Sequence, residues 1–152
     1  MRNPFLWGAD WAWGMPLIVL TVVIHVLGLG FVNRRAIGAA RKIIRRQAPR
    51  AMLPLVVGGT TLFAACLLGI EAGIWAGAYR YLDAFPDFRS AMLYSLNAIT
   101  SYGQSGLPAK DRWHLMGALE ALNGSMLFGL TTAFLFAAIQ KVWLVDSAEV
   151  ER

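Results

Sequence analysis

Charge is what this sequence has least of. Only 15% of its 152 residues are charged, while 57% are hydrophobic; a soluble domain usually carries roughly a quarter charged residues. The deficit excludes an ordinary soluble globule. Histidine is also scarce. His25 and His114 are far apart in the chain, and no metal-ligand cluster or nucleotide loop accompanies them. No enzyme, cofactor or structural metal is expected. Ser101 and Ser105 lie in a Gly-rich run, "YGQSG", but it lacks the strand–turn–helix context of a nucleophile elbow. A lone cysteine, Cys66, excludes an internal disulfide and reads as a small apolar packing residue.

What is present is apolar, and it comes in blocks rather than stripes. The blocks run from Met15 to Val32, from about Leu53 to Leu82, and from about Leu115 to Val145. Each reaches the roughly 20 residues that span a bilayer at about 1.5 Å per residue. The last two exceed that length, which suggests tilt or protrusion into the interface. The expectation is an all-α integral membrane protein with three transmembrane helices. A cleaved signal would have a basic start and a short apolar core. This chain opens instead with FLWGADWAWG, whose Trp7, Trp11 and Trp13 suit a membrane interface, and its first block ends on Asn33, Arg34 and Arg35. Residues 1–33 therefore read as an interfacial segment and a retained first helix.

Orientation follows from the basic residues. Arg34, Arg35, Arg41, Lys42, Arg45, Arg46 and Arg50 are seven of the 14 in the chain, gathered in residues 34–52. Short loops rich in Lys and Arg stay cytoplasmic, so the N-terminus is expected outside and the C-terminus inside. Ile37, Ile43 and Ile44 alternate with the basic residues at roughly helical spacing, as on an interfacial helix lying on anionic lipid. Aromatic partners for nucleic acid are missing there, and no nucleic acid partner is expected.

Residues 83–114, between the second and third blocks, are not an ordinary loop. Pro86 suits the first turn of a helix and Asp87 adds favourable negative charge there. FRSAMLYSLNAIT then continues to Thr100 with no Gly or Pro. That is about 20 Å of helix, too short to span but long enough to reach mid-membrane. The chain must climb back from Ser101 to Pro108. Irregular backbone at such depth survives only where protein buries it or where it lines water. A short helix ending at mid-membrane presents negative partial charge there, and a ring of carbonyls beside it suits a cation path. One chain supplies one such strand, so a ring needs several copies around an axis.

The run from Pro86 through the third block resembles the pore-loop tetrameric cation channels, in particular short bacterial potassium-channel-like (two-pore-domain-like) proteins. The resemblance covers roughly residues 53–143. "YSLNAITSYG" is similar to the family's pore helix and filter entry, and "LMGALEALNGSMLFGLTTAFLFAAIQ" to its inner helix. It implies a homotetramer in a bacterial inner membrane that conducts monovalent cations such as potassium or sodium. It also implies a pore domain over 53–145, with outer helix 53–82, pore helix 86–100, filter 101–106 and inner helix 114–145, followed by a short tail, 146–152.

Matched onto the filter pattern, Thr100 keeps the preceding threonine, Ser101 replaces the filter threonine, and Tyr102 and Gly103 follow. Gln104 replaces the filter tyrosine, Ser105 the second glycine, and Gly106 the aspartate. Gln104 cannot supply the tyrosine's stacking, and serine at a position needing positive φ costs on the order of 1 kcal/mol or more. A cation pore with weak or altered potassium selectivity is the expectation. Two alternatives are a potassium-selective channel with a tolerated variant filter, and a non-conducting scaffold or sensor that keeps the pore fold. On the inner helix, Gly124 and Gly129 fall where the family's helix bends for gating. Gly117, Ala121, Gly124 and Ser125 equally suit close helix packing. Thr131, Thr132, Ala133 and Ala137 are candidate cavity or gate residues.

Ionisable residues inside apolar blocks are functional candidates. His25 and Glu71 each lie about 15 Å in from the outer ends of their helices and are expected to meet, with protonation of His25 near pH 6 then able to alter gating. Glu120 and Asn123, three apart on the third block, are expected to brace the filter.

Overall fold

The computed structural model describes residues 5–44, 52–102 and 113–150. Those residues form four helices and no strand: α1 (Phe5–Ile44), α2 (Met52–Tyr81), α3 (Phe88–Ile99) and α4 (His114–Val150). Three of them are long and apolar enough to cross a membrane, over Gly8–Val32, Val57–Tyr81 and His114–Gln140. The described residues are thus all-helical, and their three apolar helices make this a multi-pass membrane protein. Helix is the form its sequence requires, because lipid offers no partner to a backbone that does not satisfy itself.

Several boundaries differ from expectation: α3 spans Phe88–Ile99 rather than 86–100, and α2 Met52–Tyr81 rather than 53–82. The segment expected as a basic loop or interfacial helix over 34–52 begins as a helix continuous with α1, which runs unbroken to Ile44, about 18 Å beyond Val32. Its residues Asn33–Ile44 are mostly Ala, Arg and Ile with no proline, and nothing there stops a helix already under way. Arg34, Arg35, Arg41 and Lys42 therefore sit on α1, while Arg45, Arg46 and Arg50 lie outside the described residues. Likewise α4 continues past the expected 145 to Val150.

The chain divides into two compact units, one of Met1–His25 with Leu68–Phe128, the other of Val26–Leu67 with Gly129–Arg152. In the second, Leu29, Ala64 and Leu67 are buried, and Gly28 lets α1 approach α2: a Cβ there would stand 2.8 Å from Leu67 Cδ2. The first unit contains all of α3 and the larger core. Its aromatic centre is Tyr79, with ring centroids 5.2 Å from Tyr94 and 5.9 Å from Phe85, both edge-on. Edge-to-face contact is the arrangement that the charge distribution of aromatic rings favours. Leu17, Trp75, Trp113, Met116 and Leu119 complete this core.

The turn from α2 to α3 is built by local chemistry. Asp83 takes a left-handed conformation (φ 54°) just past α2. Its N–H bonds the Arg80 carbonyl and the Ala84 N–H bonds that of Tyr79, the paired closure that satisfies a helix end. Asp tolerates left-handed backbone better than most residues. Asp87 then caps α3, accepting from the Ser90 N–H at 2.9 Å and from the Ser90 hydroxyl at 2.8 Å. This pair holds the Asp87 carboxyl below its ordinary range, the backbone bond contributing most.

Candidate functional site

The short helix is the organising feature of the site. α3 buries Ala91, Tyr94, Ser95, Ala98 and Ile99, the spacing of one helical face. Arg89, Leu93, Leu96 and Thr100 are exposed. Two contacts locate it along its neighbours. Ser95 Oγ lies 2.7 Å from the carbonyl of Ala72, nine residues or about 14 Å before the end of α2. Gly124, about 15 Å into α4, faces the last turn of α3 so closely that a Cβ would stand 1.9 Å from the Ile99 carbonyl oxygen. Only glycine permits that approach. Close packing is thus what the structure shows at Gly124. A Cβ on Gly129 would meet nothing within 4 Å.

The C-terminal end of α3 closes on itself. Ser101 is left-handed (φ 55°). Its N–H bonds the Ala98 carbonyl at 2.9 Å, and the Tyr102 N–H bonds that of Asn97 at 3.0 Å. The Leu96 carbonyl accepts from both the Thr100 N–H and its hydroxyl. Three of the last helical carbonyls are thus already occupied. Ser101, expected at the start of the filter strand, serves here as the turn that ends the helix, and Thr100 and Tyr102 are exposed, Tyr102 to 81%. Gly103, Gln104, Ser105 and Gly106 lie outside the described residues.

Around α3 the first unit gathers an unusual number of buried polar side chains. Asp10, Thr21, His25, Glu71, Ser95, Glu120 and Asn123 are all buried. The structure brings His25 and Glu71 together, with Nδ1 at 3.0 Å from Oε1 and 3.2 Å from Oε2. Glu120 meets α3 and α2 at once: Ser95 Oγ rests against its Oε1, and the Tyr79 hydroxyl donates to Oε2 at 2.8 Å. Asn123, expected beside Glu120 at the filter, turns the other way. Its amide donates to Thr21 Oγ1 on α1 at 2.8 Å, and Thr21 in turn donates to the Leu17 carbonyl. Three positions apart on a helix point about 60° apart, enough for different neighbours. Asn123 Oδ1 has no hydrogen-bond partner among the described residues.

Sequence reasoning passed over Asp10, Thr21, Tyr79 and Ser95. Asp10 caps α4 from another helix, accepting from the Met116 N–H at 3.1 Å, one of the donors that a helix start leaves free. An acid inside a tryptophan-rich apolar run was the available signal for it. Of the candidate gate residues, Thr132, Ala133 and Ala137 are exposed and Thr131 is buried. No group of three or more metal-ligating side chains occurs among the described residues. Compared with known proteins, the chain matches no family model, no curated protein and no solved structure.

Proposed function

We propose that the chain is one subunit of a tetrameric pore-loop cation channel in a bacterial inner membrane, with α3 as pore helix, residues 101–106 as ion path and α4 as inner helix. One observation carries the reading. A twelve-residue helix is anchored about 14–15 Å along two membrane-spanning neighbours, and its exposed end delivers the chain to the run Gly103–Gly106. Polar backbone starting at such depth requires water or protein around it, and four copies about an axis supply both. The exposed row Ser125, Gly129, Thr132 on α4 suits the wall below such a path better than it suits lipid.

Gln104 and Ser105 replace the residues that hold a potassium filter rigid, so the pore passes monovalent cations with weak preference. Because α3 consumes its own terminal carbonyls, ion coordination falls to the backbone beyond Tyr102 and to the side chains of Gln104 and Ser105. Gly129, open to its surroundings, is the inner-helix position left free to bend. Arg34, Arg35, Arg41, Lys42, Arg45, Arg46 and Arg50 face anionic lipid headgroups on the cytoplasmic side, which puts the N-terminus outside.

The test is a bi-ionic reversal potential on purified protein in a planar bilayer, potassium on one side and sodium on the other. Unitary currents reversing near zero are expected. Reversal near the potassium value would establish a selective filter instead. Silence at every voltage and pH, from protein shown to be tetrameric, would overturn conduction and leave the scaffold.

A further inference from the structure

The contacts of Ser95 raise a question of proton count. Its hydroxyl has one hydrogen and two acceptor lone pairs. It lies 2.7 Å from the Ala72 carbonyl, which can only accept. It also lies at close hydrogen-bonding distance from Glu120 Oε1. One hydrogen cannot serve two acceptors at those distances, and without a second proton two oxygens would face each other lone pair to lone pair. We infer that Glu120 holds the missing proton and, as a neutral carboxylic acid, donates it to Ser95 Oγ, making it the residue that seats α3 between α2 and α4.

Every group then has one consistent role. The Glu120 hydroxyl on Oε1 donates to Ser95 Oγ, and Ser95 donates to the Ala72 carbonyl. The Tyr79 hydroxyl donates to Oε2 at 2.8 Å, the carbonyl oxygen of the acid. The chain of donors runs in one direction, and each link joins two different helices: α4 to α3, α3 to α2, and α2 back to α4. The surroundings agree. Glu120 is fully buried, and among the described residues it has no ion pair. Tyr79 from α2 touches Glu120, and Tyr94 from α3 and Asp10 from α1 lie about Tyr79; the pair of Glu71 from α2 and His25 from α1 stands one residue before Ala72, with the His25 imidazole turned to Glu71. An ionised carboxylate in such a place would be an unpaired buried charge, which membrane interiors penalise heavily.

This contrasts with Glu71, the other buried glutamate of the unit, which has the His25 imidazole beside it. Two carboxyl groups at similar burial thus differ in the partner each is given. The assignment of the proton stands whether or not the protein conducts. Its consequence for conduction, that the seat of the pore helix depends on an uncharged Glu120, rests on the pore reading above.

The experiment is infrared spectroscopy of the full chain in lipid bilayers at neutral pH, with Glu120→Gln, Glu71→Gln and Ser95→Ala, alongside thermal unfolding. A carbonyl stretch of a protonated carboxylic acid is expected. It should vanish in Glu120→Gln, persist in Glu71→Gln, and shift to higher frequency in Ser95→Ala, where the acid loses its acceptor. Gln can donate through its amide and accept through its oxygen, so Glu120→Gln should unfold within a degree or two of the parent while Glu120→Ala unfolds clearly earlier. The inference falls if no acid band responds to Glu120→Gln, or if Gln and Ala destabilise equally. Both readouts are independent of ion flux, so a silent channel would leave this result standing and a failed assignment would leave the conduction test untouched.

Discussion

At the scale of single residues, the first unit is organised by positions where one atom decides the outcome. Gly124 is the plainest case. A methyl there would overlap the Ile99 carbonyl oxygen at 1.9 Å, and backbone cannot yield as a side-chain tip can. Gly124→Ala should cost about 1–3 kcal/mol or more, read as an earlier thermal transition, whereas Gly129→Ala should leave stability level or slightly raised, since a Cβ there meets nothing. The His25–Glu71 pair follows a different rule. Both side chains are buried, and truncating either removes the contact between them. His25→Ala and Glu71→Ala are each expected to lose about 3–5 kcal/mol, but the double variant should lose much less than the sum, because that contact can be lost only once. A double-mutant cycle by unfolding in detergent measures that coupling, and additive losses would mean the pair is not an energetic unit. The His25–Glu71 contact was legible in the sequence, since ionisable residues inside apolar blocks stand out and these two lie at similar depth. The partners of Glu120 and Asn123 were not: Thr21, Tyr79 and Ser95 are common in transmembrane helices, and only the packing shows which of them bonds to what.

At the scale of elements, α3 is set by its two ends. Asp87 caps the start and the left-handed Ser101 closes the finish. A helix start near Pro86–Asp87 was legible, but the sequence placed both inside the first turn of a helix over 86–100, whereas α3 begins at Phe88 with Asp87 as its cap and Pro86 ahead of it. The Ser101 closure was not legible, because serine carries no preference for left-handed backbone and so does not mark itself as the residue that takes it. Bonding to Ser90 lowers the Asp87 carboxyl below its ordinary range. The sign follows directly. A group lowered in the folded state contributes fully above its unfolded value, and that contribution is lost as pH falls through the folded value. Acidification past the ordinary carboxylate range should therefore loosen the first turn of α3. Amide exchange at Ser90, corrected for the intrinsic pH dependence of exchange, should lose protection in acid, and Asp87→Ala should show low protection at neutral pH and no further acid dependence. Protection that is flat with pH in the parent would mean that the cap contributes nothing. The end of α1 illustrates the opposite limit. The basic residues were read as a separate loop or interfacial helix because charge usually leaves the membrane, yet α1 itself continues through the first of them where no proline or glycine pair interrupts it.

At the scale of the whole molecule, the proposed pore requires copies. A single chain offers one short helix with its end exposed and one α4 row of Ser125, Gly129 and Thr132 left uncovered. A row of small residues on a membrane span lets a neighbouring backbone approach closely. Mass measurement of the intact complex in detergent should give four copies, and cross-linking from exposed α4 positions should connect neighbours into a closed ring. A monomer or dimer as the largest stable species would remove the ring and with it the ion path.

Hydrophobic block length, the placement of basic residues and the breaks at Gly and Pro determined by themselves that the chain is helical, that it crosses a membrane repeatedly and that one helix is too short to cross. These are properties of the chain against its solvent, and each can be read one segment at a time. Only the tertiary structure decided that Glu120 reaches both Ser95 and Tyr79, that Asn123 turns to Thr21, that Asp10 caps a helix over a hundred residues away, and that Gly124 is a contact. These depend on how helices rotate about their own axes and how closely they approach, which in lipid is governed by packing and hydrogen bonding rather than by hydrophobicity. Block hydrophobicity does not specify that rotation.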